Sequence, residues 1–474
     1  MNKEFKIILA TCILFTFPVM ISTGMYRDDL IRASYGLYGW SVLGRPFADA
    51  LVGLLTFSST KLMSPYPYSQ ILAAIFFCLS TYSIFNSYLK EIYGGLFISL
   101  SLMITPLMVQ NISYQYDSLP MSLGLYCAVI SGIHYNKFYI SIPLLISSLL
   151  LYQPCANIFI GVYAINSACS CLKSNIMKDE LIKLVKYIFI YVTSMVTYSL
   201  ILLPAMSVNT RSDLIFNAEN PIAFLFKNVD HYYRIVEAVY IGQSRYIAFI
   251  FILGMLGGLI VKILNSSNKK IIFIIFTTSL VAGIISCFGP LVLLQDPASR
   301  LSRTMVGFGA LICVSMVWSS HLLSVFKLKY IYFIPILFSF SVSSSYSNGA
   351  KAQNYFEESL ASMIVSDSAK IKYKNMIFYG STFYSPEAKL IADNSYVFRS
   401  TYIPAREWIM STKVMNLGGK NVEYPIGNYA SVRKLVTDVC NNKADNIMSN
   451  NLYDFYLYNG SLLVFLKDGK NNLC

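Results

Sequence analysis

Apolar runs of about 17–22 residues recur through roughly the first three quarters of the chain, each near the length that crosses a bilayer as a helix. The pattern predicts eleven spans, at about 5–24, 67–88, 92–110, 118–134, 138–152, 155–172, 185–206, 246–264, 271–294, 304–325 and 330–346. The short pair around Pro154 also reads as a broken or re-entrant element. The first run, Phe5 to Gly24, is too long for a signal-peptide core and lacks a small-residue cleavage site, so it is expected to remain as a span. Directly behind it comes Tyr26-Arg27-Asp28-Asp29, followed by Leu30 to Trp40. Helical spacing there puts Leu30, Ala33, Ser34, Leu37 and Tyr38 on one side, which predicts an interfacial helix within a first outer loop of 25–60.

From about Ser347 the mixture becomes that of a soluble domain. Lys351 to Asp367 reads as a helix, Met376 to Tyr379 as a strand and Ser385 to Ala392 as a short helix. Tyr453–Tyr458 and Leu462–Lys467 flank Asn459-Gly460, a strong hairpin signal. The expected architecture is an α-helical polytopic membrane protein over 1–346 with an α+β domain over 347–474.

Composition agrees: 55% of residues are hydrophobic, 13% are charged, and mean hydropathy is +0.54, which excludes an ordinary soluble enzyme. The net charge of +13 would suit nucleic acid, but the lysines sit in short loops between spans, so topology accounts for them and no nucleic-acid partner is expected. With the N-terminus inside, Lys3, Lys6, Lys90, Lys137, Lys183, Lys186, Lys262, Lys269, Lys270, Lys327 and Lys329 all fall on the inner side. An odd number of spans then leaves the C-terminal domain outside. Every arginine before that domain falls on the outer side, as do Asp28, Asp29, Asp49, Asp117, Asp213 and Asp296. Arginine's planar fork suits phosphate or carboxylate recognition, so the chemistry is expected to face outward.

Asp28 and Asp29 have two readings: an N-cap with a first-turn acid, or a general base at the lip of a lipid-accessible cavity, kept ionised by Arg27. Asp117, in Tyr116-Asp117-Ser118, either caps the next span or shares that cavity. Arg300 and Arg303 would share a helix face at the outer start of a span, as headgroup-seeking side chains or as a clamp for a lipid phosphate. Span centres carry almost no ionisable residues, which weighs against an ion-coupled transporter or flippase. An O-antigen polymerase or ligase would place its large outer loop between spans, and a non-enzymatic receptor is a further alternative. Three histidines and no paired-cysteine motif make a zinc site improbable; the acids leave room for a divalent metal without demanding one, and no cofactor is required. Cys440 and Cys474 would pair if the tail lies in an oxidising periplasm.

Met25-Tyr26-Arg27-Asp28-Asp29, then Gly39-Trp40-Ser41-Val42-Leu43-Gly44-Arg45-Pro46, then Tyr116-Asp117-Ser118 resemble the type II Gtr O-antigen glucosyltransferases of serotype-converting phages and enterobacteria, similar in plan to GT-C glycosyltransferases. The resemblance implies an inner-membrane enzyme that takes glucose from undecaprenyl-phosphate glucose and adds it to lipid-linked O-antigen on the periplasmic side, inverting the anomeric centre. It implies that Asp28 or Asp29 is the catalytic acid of the first outer loop. Arg27, Arg45, Arg300, Arg303, Tyr116, Asp117 and Trp40 are then expected at the substrates, with aromatics such as Tyr35, Trp40, Tyr116 and Tyr232 stacking on sugar rings and the tail helping to hold the acceptor.

Overall fold

A computed structural model describes residues 2–22, 24–58, 60–170, 177–206, 213–295, 302–424, 429–441, 444–469 and 473. The chain divides into two compact units: Met1–Ile21 with Tyr38–Ser344, and Ser22–Leu37 with Ser345–Cys474.

The first unit is helical. Among the described residues, five helices are long and apolar enough to cross a membrane: Lys3–Ser22, Tyr68–Leu89, Lys178–Ala205, Gly242–Leu264 and Lys269–Leu293. Four apolar helices are shorter: Pro46–Thr56, Ser118–Ile133, Phe138–Leu151 and Phe308–Leu323. The chain is thus a helical membrane protein, but the expected count of eleven spans is not supported. The run expected as a span at 92–110 shows why. It breaks into Gly95–Leu100, a 3-10 turn Pro106–Met108 and Val109–Ser113, because Gly94 takes a left-handed φ of 77° and Pro106 cannot continue a helix. Ile98 to Ser122 is buried throughout. Irregular backbone is tolerated at membrane depth only where protein or a cavity surrounds it.

Close helix packing in this unit uses small residues. A Cβ on Gly258 would lie 1.9 Å from the carbonyl oxygen of Trp318, so helices Arg245–Leu264 and Phe308–Leu323 approach backbone to backbone there. The segments expected as a span at 330–346 and a separate helix from Lys351 are one continuous helix, Ile334–Ser368.

The second unit holds a four-stranded sheet of order β1-β4-β3-β2, with β1 Asn375–Gly380, β2 Asp445–Ser449, β3 Tyr453–Tyr458 and β4 Ser461–Leu466. β1 runs parallel to β4, and the other pairs are antiparallel. The β3–β4 turn is Asn459-Gly460, with φ of 50° and 80°, the left-handed pair that its two-residue signal implies. Alternation in β4 sends Leu462, Val464 and Leu466 into a core with Met376, Phe378, Leu360 and Ile364, while Leu463 packs with Ile377, Val432 and Val439 on the opposite face. Leu30 belongs to the first of these cores. The helix expected to lie in the membrane interface is therefore the eight-residue Asp28–Tyr35, with its main apolar side chain spent on the α+β unit. Residues 22–37 are part of that unit, whereas the sequence reading grouped 25–60 as a whole with the first.

Candidate active site

In the first unit the site begins with a turn. The N–H groups of Gly39 and Trp40 donate to Asp49 Oδ1 at 3.1 and 3.2 Å, and the Ser41 N–H donates to Oδ2 at 2.5 Å. One carboxylate thus fixes three successive amides and turns the Trp40 ring inward, where it is 1% exposed. The indole Nε1–H donates to Asp117, itself 7% exposed. Asp117 occupies the N-cap position of Ser118–Ile133 but makes no side-chain cap bond, so the capping reading gives way to an indole–carboxylate contact. Both groups are buried away from water, where such a contact is stronger.

Two guanidinium groups lie close by. Arg45 donates from Nε to Gln153 Oε1 at 2.6 Å and lies 4.5 Å from the Tyr152 ring centre. Gln153 is fixed in turn by donating to the Leu43 carbonyl at 2.8 Å and to the Tyr198 hydroxyl at 2.7 Å. Tyr198 projects from a π-helical turn, Thr197–Leu202, and donates to the Gly44 carbonyl at 3.0 Å. Arg303 sits in a 3-10 turn, Ser302–Thr304, ahead of the helix that starts at Phe308, not on a helix face as expected. Gln110 Oε1 accepts from the Arg303 N–H and the Ser302 hydroxyl, both at 2.9 Å, and Asn111 donates to the Arg303 carbonyl at 3.1 Å. The Arg303 guanidinium donates to the Tyr114 hydroxyl and lies 4.8 Å from its ring centre. The charges of Arg303, Arg45 and Asp117 all act on the Tyr152 hydroxyl, with Arg45 directly over its ring. Arg300 lies outside the described residues.

The acid pair belongs to the second unit. Neither Asp is the N-cap of its helix; that position is Arg27, whose φ of 46° and ψ of −106° are strained for a side-chain-bearing residue. Asp28 is exposed, and Asp29 is 0% exposed and accepts from the Tyr26 N–H at 3.3 Å. The Arg27 guanidinium and the Tyr26 hydroxyl each donate to the Thr401 carbonyl at 2.5 Å, which fixes the turn carrying the acids. Burial pushes the Tyr384 hydroxyl up to about 12, and the Arg27 and Arg399 charges pull it back. Beneath the same turn, the Lys413 ammonium meets Glu357 at 3.3 Å; Glu357 also accepts from the Ala405 N–H and the Gln353 amide, both at 2.9 Å.

Of the expected stacking aromatics, Trp40, Tyr116 and Tyr232 are buried and offer no open ring face. Tyr35 is partly exposed, with its ring 6.2 Å from that of Tyr424. The sequence reading missed Gln110, Asn111, Tyr114, Tyr152 and Gln153. The available signal was amides inside apolar runs, where a polar group needs a partner. Among the described residues no three His, Cys, Asp or Glu side chains gather as a metal set.

A family model described as Glucosyl transferase GtrII matches residues 6–320. An uncharacterized 55.3 kDa protein in the gtrB 5' region of Salmonella phage P22 is 26% identical over 413 residues, covering 80% of this chain and 82% of that protein. No solved structure matches.

Proposed function

Because the chain belongs to the GtrII glucosyl transferase family, we propose that it is an inner-membrane enzyme that moves glucose from undecaprenyl-phosphate glucose to lipid-linked O-antigen on the periplasmic face. The observation that carries this reading is the neighbourhood of Trp40, Asp117, Arg45 and Arg303, a cluster of charge built into an otherwise apolar helical unit. A lipid-phosphate donor requires cationic groups at a greasy boundary and no soluble nucleotide. The periplasmic side of this proposal rests on the sequence expectation that the arginines face outward and the lysines inward. The disulfide at Cys440 supports an oxidising surrounding for the tail, whereas Cys12, Cys78, Cys127, Cys155, Cys287 and Cys313 are free thiols. The expected partner Cys474 lies outside the described residues; the neighbouring Leu473 carbonyl is 3.6 Å from Cys440 Sγ.

In the proposed reaction an acceptor hydroxyl attacks the anomeric carbon, the bond from that carbon to the phosphate oxygen breaks, and undecaprenyl phosphate leaves. Asp28 or Asp29 takes the hydroxyl proton, and a single displacement inverts the centre. Arg303, Arg45 and Arg300 stabilise the charge that grows on the leaving phosphate. Arg27 holds the turn that presents the acids, through its bond to the Thr401 carbonyl. Asp117 and Trp40 fix the geometry of the donor region. The test is O-antigen glucosylation followed by mass spectrometry in cells carrying Asp28→Asn, Asp29→Asn or both. Loss of the base lowers transfer by at least about 100-fold. Full hexose addition by both single variants and the double variant, at normal expression, removes the assignment.

A further inference from the structure

The second unit contains a cavity of about 710 Å³ at one end of its sheet, within the size range of ordinary ligand sites. It opens where parallel strands β1 and β4 end, at Gly380 and Leu466, the side of a parallel pair on which ligands usually bind. The floor is bare backbone for a definite reason. Gly380 has a φ of 93°, and a Cβ there would lie 2.5 Å from the Leu466 carbonyl oxygen. Beside it Tyr379 is exposed and stacks on its cross-strand partner Phe465, with ring centres 6.3 Å apart and planes 26° from parallel. The opposite wall brings Arg406, through its bridge to Ser381, together with Tyr429 and Arg433. Burial and the Glu407 carboxylate push the Tyr429 hydroxyl up while Arg406 pulls it back, so these three groups share one environment.

The lining charges cancel: Arg406 and Arg433 against Glu407 and Asp468. A phosphate or polyanion site would carry an excess of cations. Planar guanidinium and carboxylate groups of both signs, beside an exposed ring, instead match adjacent hydroxyls and the apolar face of a sugar. We propose that this cavity is a binding site for an uncharged oligosaccharide, a segment of the growing acceptor chain. The identification with acceptor rests on the glucosyl-transfer reading; the sugar chemistry does not.

The experiment uses the full chain in detergent, with a delipidated neutral O-polysaccharide fragment as probe and inorganic pyrophosphate as competitor, read by saturation-transfer NMR. The fragment is expected to bind the native chain without displacement by pyrophosphate. The pair Tyr379→Ala with Arg433→Ala should weaken binding at least tenfold, and so should Tyr429→Ala with Arg433→Ala, both with unchanged thermal melting. In membranes the same variants should raise KM for polymeric acceptor at least fivefold, with a smaller change in kcat and none in KM for donor. Unchanged glycan binding in both folded pairs, or displacement by pyrophosphate, overturns the site. Glycan binding that the variants abolish in a chain without glucosyl transfer would keep the site and remove the catalytic reading instead.

Discussion

Trp40 and Asp117 hold each other in a nearly dry setting, and the consequence is measurable. Trp40→Phe keeps an aromatic ring but removes the indole donor and part of the buried volume, leaving a buried carboxylate short of one bond beside a small cavity. That change should cost about 1–3 kcal/mol of stability, seen as a lower melting temperature in detergent. Asp117→Asn retains an acceptor oxygen for the indole, so melting should change little while transfer falls if the charge is used. Asp117→Ala should damage both. Arg303→Lys removes the fork that reaches Tyr114 and should reduce transfer at least tenfold, mainly through donor KM; unchanged turnover would reduce Arg303 to a headgroup contact. Asp28, Asp29 and Asp117 stand out in the sequence because acids are rare in so apolar a chain, and the burial of Asp29 and Asp117 is what the structure adds. Gln110 and Gln153 do not stand out, because an amide in an apolar run looks the same whether it faces a groove or anchors a backbone carbonyl. Trp40 was legible as a participant but not as a buried one, since exposure depends on which carboxylate its indole finds.

At the scale of elements, hydropathy located the apolar segments well and counted spans badly. A window average does not record that a run turns at Gly94 or stops at Pro106, and the resulting buried, irregular stretch positions Gln110, Asn111, Tyr114 and Asp117. The tail hairpin was readable because Asn459-Gly460 encodes its own turn, while β2 was missed because Asp445-Asn446-Ile447-Met448-Ser449 has weak strand character and depends on β3 for pairing. The π turn at Thr197–Leu202 left no sequence trace, yet it aims Tyr198 at Gly44 and Gln153. Tyr198→Phe should therefore loosen Arg45 through Gln153, lowering transfer several-fold at a stability cost of about 1 kcal/mol. Gly258→Val would drive carbon into the Trp318 carbonyl and should abolish folded protein on size exclusion, a cost of about 1–3 kcal/mol or more.

For the whole molecule, redox state separates the two units. Cys440 is disulfide-bonded, whereas Cys12, Cys78, Cys127, Cys155, Cys287 and Cys313 of the first unit are free thiols. Native alkylation followed by mass spectrometry should leave Cys440 unmodified until a reductant is added. Cys440→Ser should lower tail stability by about 2–4 kcal/mol. Composition alone changes from apolar to mixed at about Ser347. That Ser22–Leu37 folds with the distant tail was not visible there, because an eight-residue amphipathic helix can bury Leu30 in lipid or in a protein core with the same sequence.

That membership bears on how such genes can be shuffled. The second unit is written in two separated stretches, Ser22–Leu37 and Ser345–Cys474. A chimera that takes its last third from a relative by a single crossover would inherit a Leu30 shaped for one core and a Met376–Phe378–Leu462 surface shaped for another. Hybrids made with matched double crossovers should secrete no misfolded material and retain transfer, while their single-crossover counterparts should be degraded.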